Sequence, residues 1–188
     1  MNRIFMDLME ESPIIAAVKD YSGLSKCLES ESKIIFVLFG DILTINDIIN
    51  KIKDSGRIAI IHIDLINGLS SKEIAIDYIK HNTKADGIIS TKQALIKHAR
   101  ELGLFTVFRF FVIDSMAFEN IKKQSEAVKP DFIEILPGVM PKVIKRISSI
   151  VSMPVIAGGL ISDKEDVMAA LSAGAVSISS TNPDVWFM

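Results

Sequence analysis

Cysteine occurs once in the 188 residues, at Cys27. A lone thiol excludes an internal disulfide, cannot by itself build a metal site, and suits a reducing compartment, so the expected location is the cytoplasm. An excess of positive charge is also lacking. The 21 lysines and arginines face 23 aspartates and glutamates, for a net charge of -2 and a pI near 5.9. That balance offers no global attraction to nucleic acid or to a membrane, although a basic face can sit within a balanced total. Long hydrophobic runs are missing too: no window approaches the ~18 uninterrupted apolar residues of a membrane span. The opening "MNRIFMDLMEESP" carries acids at Asp7, Glu10 and Glu11 and no long apolar run. It therefore reads as a short amphipathic helix covering one end of the core rather than as a leader.

What the chain does have is apolar residues, 49% of the total with a mean hydropathy of +0.36, enough for most strands and helices to bury a face. They come as short runs: "IIAAV" (14–18), "KIIFVLF" (33–39), "RIAIIHI" (57–63), "DGIIS" (86–90), "LFTVFRFFV" (104–112), "DFIEIL" (131–136), "PVIA" (154–157) and "AVSIS" (175–179). Continuous rather than alternating hydrophobicity marks strands buried on both faces, as in parallel sheets, and each of the first seven runs leads through a turn into a segment of helical spacing. Thr44-x-x-Asp47, Ser70-x-x-Glu73 and Ser162-x-x-Glu165 predict helix starts as capping boxes, and Gly56, Gly103 and Gly174 predict helix ends. Eight βα units with no break in composition predict an α/β fold, a single-domain (β/α)8 TIM barrel over 1–188, with an open doubly wound sheet as the alternative. The chain is shorter than the ~250 residues usual for such barrels. Only eight residues follow Ser180, so the eighth helix must be short or missing. Trp186 and Phe187, or a second subunit of a homo-oligomer, could fill the gap.

In a barrel of this kind chemistry belongs to the C-terminal ends of the strands. Those ends carry Lys19, Asp41, His62, Asp64, Arg109, Glu134, the pair Gly158-Gly159 in "MPVIAGGLIS", and Ser179-Ser180-Thr181. Paired glycines let a ligand approach main-chain N–H groups, and the loops after strands 7 and 8 are where many such barrels bind phosphate, so these two loops predict a phosphate site. Lys19 is a cation for an acidic ligand, a Schiff-base nucleophile or a solvated side chain. His62-x-Asp64 alternates so that both could face the mouth. With Asp41 and Glu134 they could hold a metal, but recognition of hydroxyl groups by carboxylates explains the same residues with fewer assumptions. No metal and no cofactor is expected. Arg109 lies inside an apolar run, where an unpaired charge is costly, so it either pairs with Glu134 on the next strand or meets an anionic ligand.

Five stretches carry a resemblance: "SPIIAAVKD", "HIDLINGLS", "ADGIISTKQALIKHARELGL", "PDFIEILPGVMPKVIK" and "PVIAGGLIS". From about Pro13 to Trp186 the chain resembles the glycerol uptake operon antiterminator regulatory proteins. The resemblance implies a barrel without established enzymatic activity that binds glycerol 3-phosphate and acts on leader messenger RNA to let transcription pass a terminator. For that ligand, barrel geometry rather than a residue-by-residue match predicts that Gly158, Gly159, Ser179 and Ser180 hold the phosphate while Lys19, Asp41, His62, Asp64 and Glu134 line the polar end. An RNA surface needs local positive charge. Residues 122–146 supply it, with Lys122, Lys123, Lys129, Lys142, Lys145 and Arg146 against three acids for a net +3. Lys142, Lys145 and Arg146 share one face of the helix after the sixth strand. The alternative is a phosphate-binding barrel enzyme, an aldolase, lyase or isomerase of a small sugar phosphate, with Lys19 or Asp64 as base.

Overall fold

The computed structural model describes residues 3–69 and 71–188. Helix α1 (Arg3–Glu11) precedes β1 (Ile14–Val18), and the chain then alternates: α2 (Tyr21–Cys27), β2 (Ile34–Val37), α3 (Ile45–Asp54), β3 (Ile58–His62), a 3-10 turn (Ile63–Leu65), α4 (Glu73–Asn82) and β4 (Gly87–Ser90). It continues through α5 (Gln93–Glu101), β5 (Phe105–Phe111), α6 (Ser115–Val128), β6 (Phe132–Leu136), α7 (Pro141–Ile150), β7 (Val155–Gly158), α8 (Lys164–Ser172) and β8 (Ser177–Ser180), and a single turn, α9 (Pro183–Trp186), follows. All neighbouring strands are parallel, and β1 pairs with both β2 and β8, closing the expected (β/α)8 barrel and removing every sheet edge.

Two apolar layers follow from strand alternation. Ile15, Ala17, Ile34, Phe36, Ile60, Ile89, Phe105, Val107, Phe132 and Ile156 point inward and fill the barrel, while their neighbours Ala16, Val18, Ile35, Val37, Ile61, Ile88, Phe108, Ile133 and Ile135 meet the helices. Helix α1 closes the bottom. Its Phe5 and Met9 join the interior layer, and Phe5 stacks on Phe105 with ring centroids 3.5 Å apart. Burying two such side chains contributes about 1.5–3 kcal/mol each, which explains why a short helix stays in place.

The outer ring of helices is short of one full member, as the sequence required. Trp186 fills the gap: it is buried against β1 and β8 and donates its Nε1–H to the Ser180 carbonyl at 2.7 Å. Phe187, expected beside it, is half exposed instead, because α9 ends at Trp186 and turns the next side chain outward.

The helix ends at Gly56, Gly103 and Gly174 form as expected, each N–H returning to a carbonyl of the last turn (Lys53, Arg100 and Leu171). The starts differ. Thr44 caps nothing with its side chain; Asp41 instead closes the turn ahead of α3, accepting from the N–H of Leu43 and Thr44 and from the Thr44 hydroxyl. Ser70 lies outside the described residues, and α4 starts after Lys72 with no side-chain cap. The box at Ser162 is displaced by one residue. Asp163 is the cap, accepting from Asp166 N–H, and Asp166 rather than Glu165 reaches back to the Ser162 N–H and hydroxyl. With Asp163 as the cap, Asp166 is the third helical residue, the position from which a carboxylate reaches back over the helix start.

Candidate functional site

The inward row continues upward from the apolar layer, so the residue two beyond each filler faces the mouth. Above Ile60 comes His62, above Val107 Arg109, above Phe132 Glu134, and above Ile156 Gly158. From β8, Ser179 joins them, opposite Gly158 in the sheet. Arg109 and Glu134 are register partners on β5 and β6, and Arg109 Nε donates to Glu134 Oε2 at 2.5 Å. The Ser179 hydroxyl donates to the other carboxylate oxygen, so a fully buried charge is paired and bonded on both sides. Gly158 makes this possible: a Cβ there would fall 2.5 Å from Ser179 Oγ and 2.6 Å from Glu134 Oε1.

Above this triad opens a cavity of about 300 Å³, lined by Arg109, Glu134, Leu136, Gly159, Leu160, Ile161, Ser162, Ser179, Ser180 and Thr181 with Ala17 and Leu38. Its rim is backbone. Gly159 (φ 76) and Leu160 (φ 64) are both left-handed, and for a non-glycine residue that conformation is held against its own preference. No acceptor among the described residues takes the N–H groups of Gly159, Leu160, Ile161 or Thr181. The helix N-termini nearby are already served, α8 by Asp163 and α9 by Asn182, so an anion here would be held by loop N–H groups and Arg109 rather than by a helix end. Ser180 is turned away from the cavity's polar floor, donating to the Ile161 carbonyl and accepting from Asn182 N–H. It fixes the two loops to each other.

A smaller cavity of about 210 Å³ adjoins, sharing Ala17 and Thr181 and lined by Lys19, Lys26, Asp20 and Trp186. Lys19 is exposed and makes no ion pair among the described residues. Lys26, nearly two helical turns beyond the Asp20 cap, was not singled out from sequence; only the placement of α2 against β1 and α9 brings it there.

The remaining expected residues are placed differently. His62 is 4% exposed, and its Nδ1 has no hydrogen-bond partner among the described residues; Asp64 Oδ2 lies 3.9 Å away. Burial, helped by the Arg109 charge and opposed by Asp64 and Glu134, pushes the imidazole down to about 4, so it is neutral near pH 7 and not half of an ion pair. Asp64 serves the β4–α5 loop, accepting from the Ser90 hydroxyl and from the N–H and hydroxyl of Thr91. Burial raises its carboxyl, but Thr91 N–H, His62, Ser90 and Lys92 outweigh that and hold it below the ordinary carboxylate value. Asp41, bound to Thr44 and Leu43 in its own turn, is likewise held low and does not line the cavity. Among the described residues no group of three or more His, Cys, Asp and Glu is placed to hold a metal ion, and no helix is long and apolar enough to cross a membrane.

The basic stretch falls on two neighbouring outer helices. Lys122 and Lys123 lie on α6 and Lys142, Lys145 and Arg146 on α7, all exposed, with Ile144 and Ile147 of α7 facing the barrel. Lys122 reaches Glu126 at 3.9 Å, and the Arg146 guanidinium lies over the Phe118 ring at 4.3 Å.

Residues 14–186 match the model of the glycerol-3-phosphate responsive antiterminator family. The protein YgcP of Escherichia coli (strain K12) is 48% identical over 181 residues, which cover 96% of this chain and 95% of that one. Among solved structures, the glycerol uptake operon antiterminator regulatory protein of Listeria monocytogenes strain 4b F2365 superposes with a TM-score of 0.90 at 31% identity, covering 93% of this chain and 95% of that one. A glycerol uptake operon antiterminator-related protein of Thermotoga maritima MSB8 gives 0.82 at 33% identity, covering 92% and 96%. The match spans the strand ends, the two cavity loops and the closing turn alike, and the chain belongs to the glycerol-3-phosphate responsive antiterminator family.

Proposed function

We propose that this chain is an RNA-binding transcription antiterminator whose activity on a leader transcript is set by glycerol 3-phosphate held in the cavity between the β7 and β8 loops. The observation that carries the reading is the set of four loop N–H groups beside Arg109 that no acceptor among the described residues takes, at the strand ends where barrels receive phosphate. Phosphate oxygens would take the N–H groups of Gly159, Leu160, Ile161 and Thr181 and face the Arg109 charge, and the glycerol hydroxyls would meet Glu134 and Ser179, with neutral His62 alongside. Lys19 and Lys26 would add positive potential at the entrance. The basic faces of α6 and α7 would meet RNA, and action on a nascent transcript places the protein in the cytoplasm.

The enzyme alternative finds less support. A general base must reach the reacting carbon, yet Asp64 is turned into its own loop and Lys19 lines the adjoining cavity rather than the one above Glu134. Family membership points the same way, since the family is one of regulators.

The reading is tested by titrating a glycerol-operon leader transcript with the protein, with and without glycerol 3-phosphate. Coupling of the usual strength would change RNA affinity about 5- to 150-fold on ligand addition. In the Lys142/Lys145/Arg146→Ala variant the RNA affinity should fall and its salt dependence flatten, with ligand binding intact. RNA affinity indifferent to glycerol 3-phosphate would refute the reading.

A further inference from the structure

We propose that the cleft between α6 and α7 is a pocket for one unpaired nucleobase, a guanine, of the RNA that the preceding reading assigns to this protein, and that the β6–α7 loop makes this pocket responsive to the ligand cavity. The cleft holds about 410 Å³. Its walls combine apolar side chains, Ile113, Met140 and Val143, with the Phe118 ring and three charged groups, Asp114, Glu119 and Arg146.

Each component suits a flat heteroaromatic base. Arg146 stacked on Phe118 offers a planar guanidinium whose outer face can carry a base, the arrangement by which single-stranded RNA is commonly gripped. Of the two carboxylates, Asp114 is held in place by accepting the Ala117 N–H at 2.7 Å through Oδ1 as the cap of α6, whereas Glu119 is exposed and makes no hydrogen bond among the described residues. A free carboxylate accepts from adjacent N–H donors, and guanine alone presents a ring N–H and an exocyclic amine side by side. Phosphates are repelled by Glu119 inside the cleft but attracted at both rims. On α6, Lys122 lies one turn beyond Phe118, and on α7, Lys142 and Lys145 lie beside Arg146. Cations on both rims disfavour a second copy of the same surface, in which like charges would face each other.

The cleft is also joined to the ligand cavity through the backbone. Leu136 lines that cavity, and its carbonyl accepts from Val112 N–H at 2.8 Å, at one wall of the cleft. Two residues on, Gly138 N–H donates to the Gly159 carbonyl of the phosphate-side loop at 3.0 Å, and Met140, the start of α7, forms the other wall. A Cβ on Gly138 would lie 2.9 Å from Gly158 N, so the loop has little room to move independently of β7. A ligand that orders Gly159 thereby biases both walls.

The test uses the full chain saturated with glycerol 3-phosphate and a pool of RNA hairpins with randomised loops carrying 6-thioguanosine. Retained RNA should photo-crosslink to residues 112–119 or 140–146. Phe118→Leu and Arg146→Gln should each weaken retention by about tenfold, and Glu119→Gln should relax the preference for guanine, all three binding glycerol 3-phosphate as the parent does. Crosslinks elsewhere, or parental retention by both Phe118→Leu and Arg146→Gln, would overturn the pocket and leave the RNA reading standing. A concentration-dependent dimer abolished by Phe118→Leu without effect on RNA would overturn it in favour of self-association. Retention of no RNA by the parent protein would overturn pocket and reading together.

Discussion

Arg109→Leu is expected to destabilise the barrel by about 3–5 kcal/mol, the range for removing one partner of a buried ion pair. Glu134 has no solvent contact, and among the described residues its charge is answered by Arg109 at 2.5 Å and the Ser179 hydroxyl alone. Leucine would fill much of the space and leave the carboxylate uncompensated. Glu134→Leu strands the guanidinium instead, but Arg109 retains 8% exposure and can turn toward the mouth, so the loss should be smaller. The Arg109→Leu/Glu134→Leu double variant should recover most of the stability, because the attraction between two desolvated charges largely offsets their own desolvation. Urea denaturation of the four proteins gives the coupling directly. Additive losses would mean that the pair is not a unit.

Acid should destabilise the protein through His62 well above the ordinary carboxylate range. The imidazole titrates at about 4 in the folded chain against 6.5 for an unperturbed histidine, so below 6.5 the unfolded chain takes up a proton that the folded chain refuses. Stability is therefore full above about 6.5 and falls as the pH drops toward 4, by roughly 3 kcal/mol for a difference of this size. His62→Gln should flatten that limb in a series of melts between pH 7 and pH 4, leaving the loss at lower pH to Asp64 and Asp41, both held low by their turns. Parallel acid limbs in the two proteins would assign the effect to another group.

The barrel was legible because its strands are buried on both faces, which writes each of them as an unbroken apolar run. Strand 8 was the least clear, expected over 175–179 and found at Ser177–Ser180, because serines at 177, 179 and 180 interrupt its apolar run. The site was half legible. Arg109 in "FTVFRFFV" announces a charge that needs a partner, and strand order supplies Glu134. The sequence could not say that Asp41 and Asp64 would be consumed by local turns, since a carboxylate at a strand end looks the same whether it faces a ligand or the N–H groups of its own loop. Phe118 and Arg146 lie on successive helices and meet only after both pack on the barrel, so no spacing rule brings out their stack.

The central claim is that the β7/β8 loops hold the phosphate of an intact glycerol 3-phosphate. It is tested most directly by calorimetric titration with glycerol 3-phosphate, glycerol and inorganic phosphate, repeated on Gly159→Asp. That substitution puts a carboxylate at a left-handed position beside the unpartnered N–H groups, with its Cβ 3.1 Å from Leu136 Cδ2. Saturable binding of glycerol 3-phosphate, stronger than that of either fragment and lost in Gly159→Asp, is the predicted result. No heat of binding to the folded parent protein, or equal binding by Gly159→Asp, would contradict it.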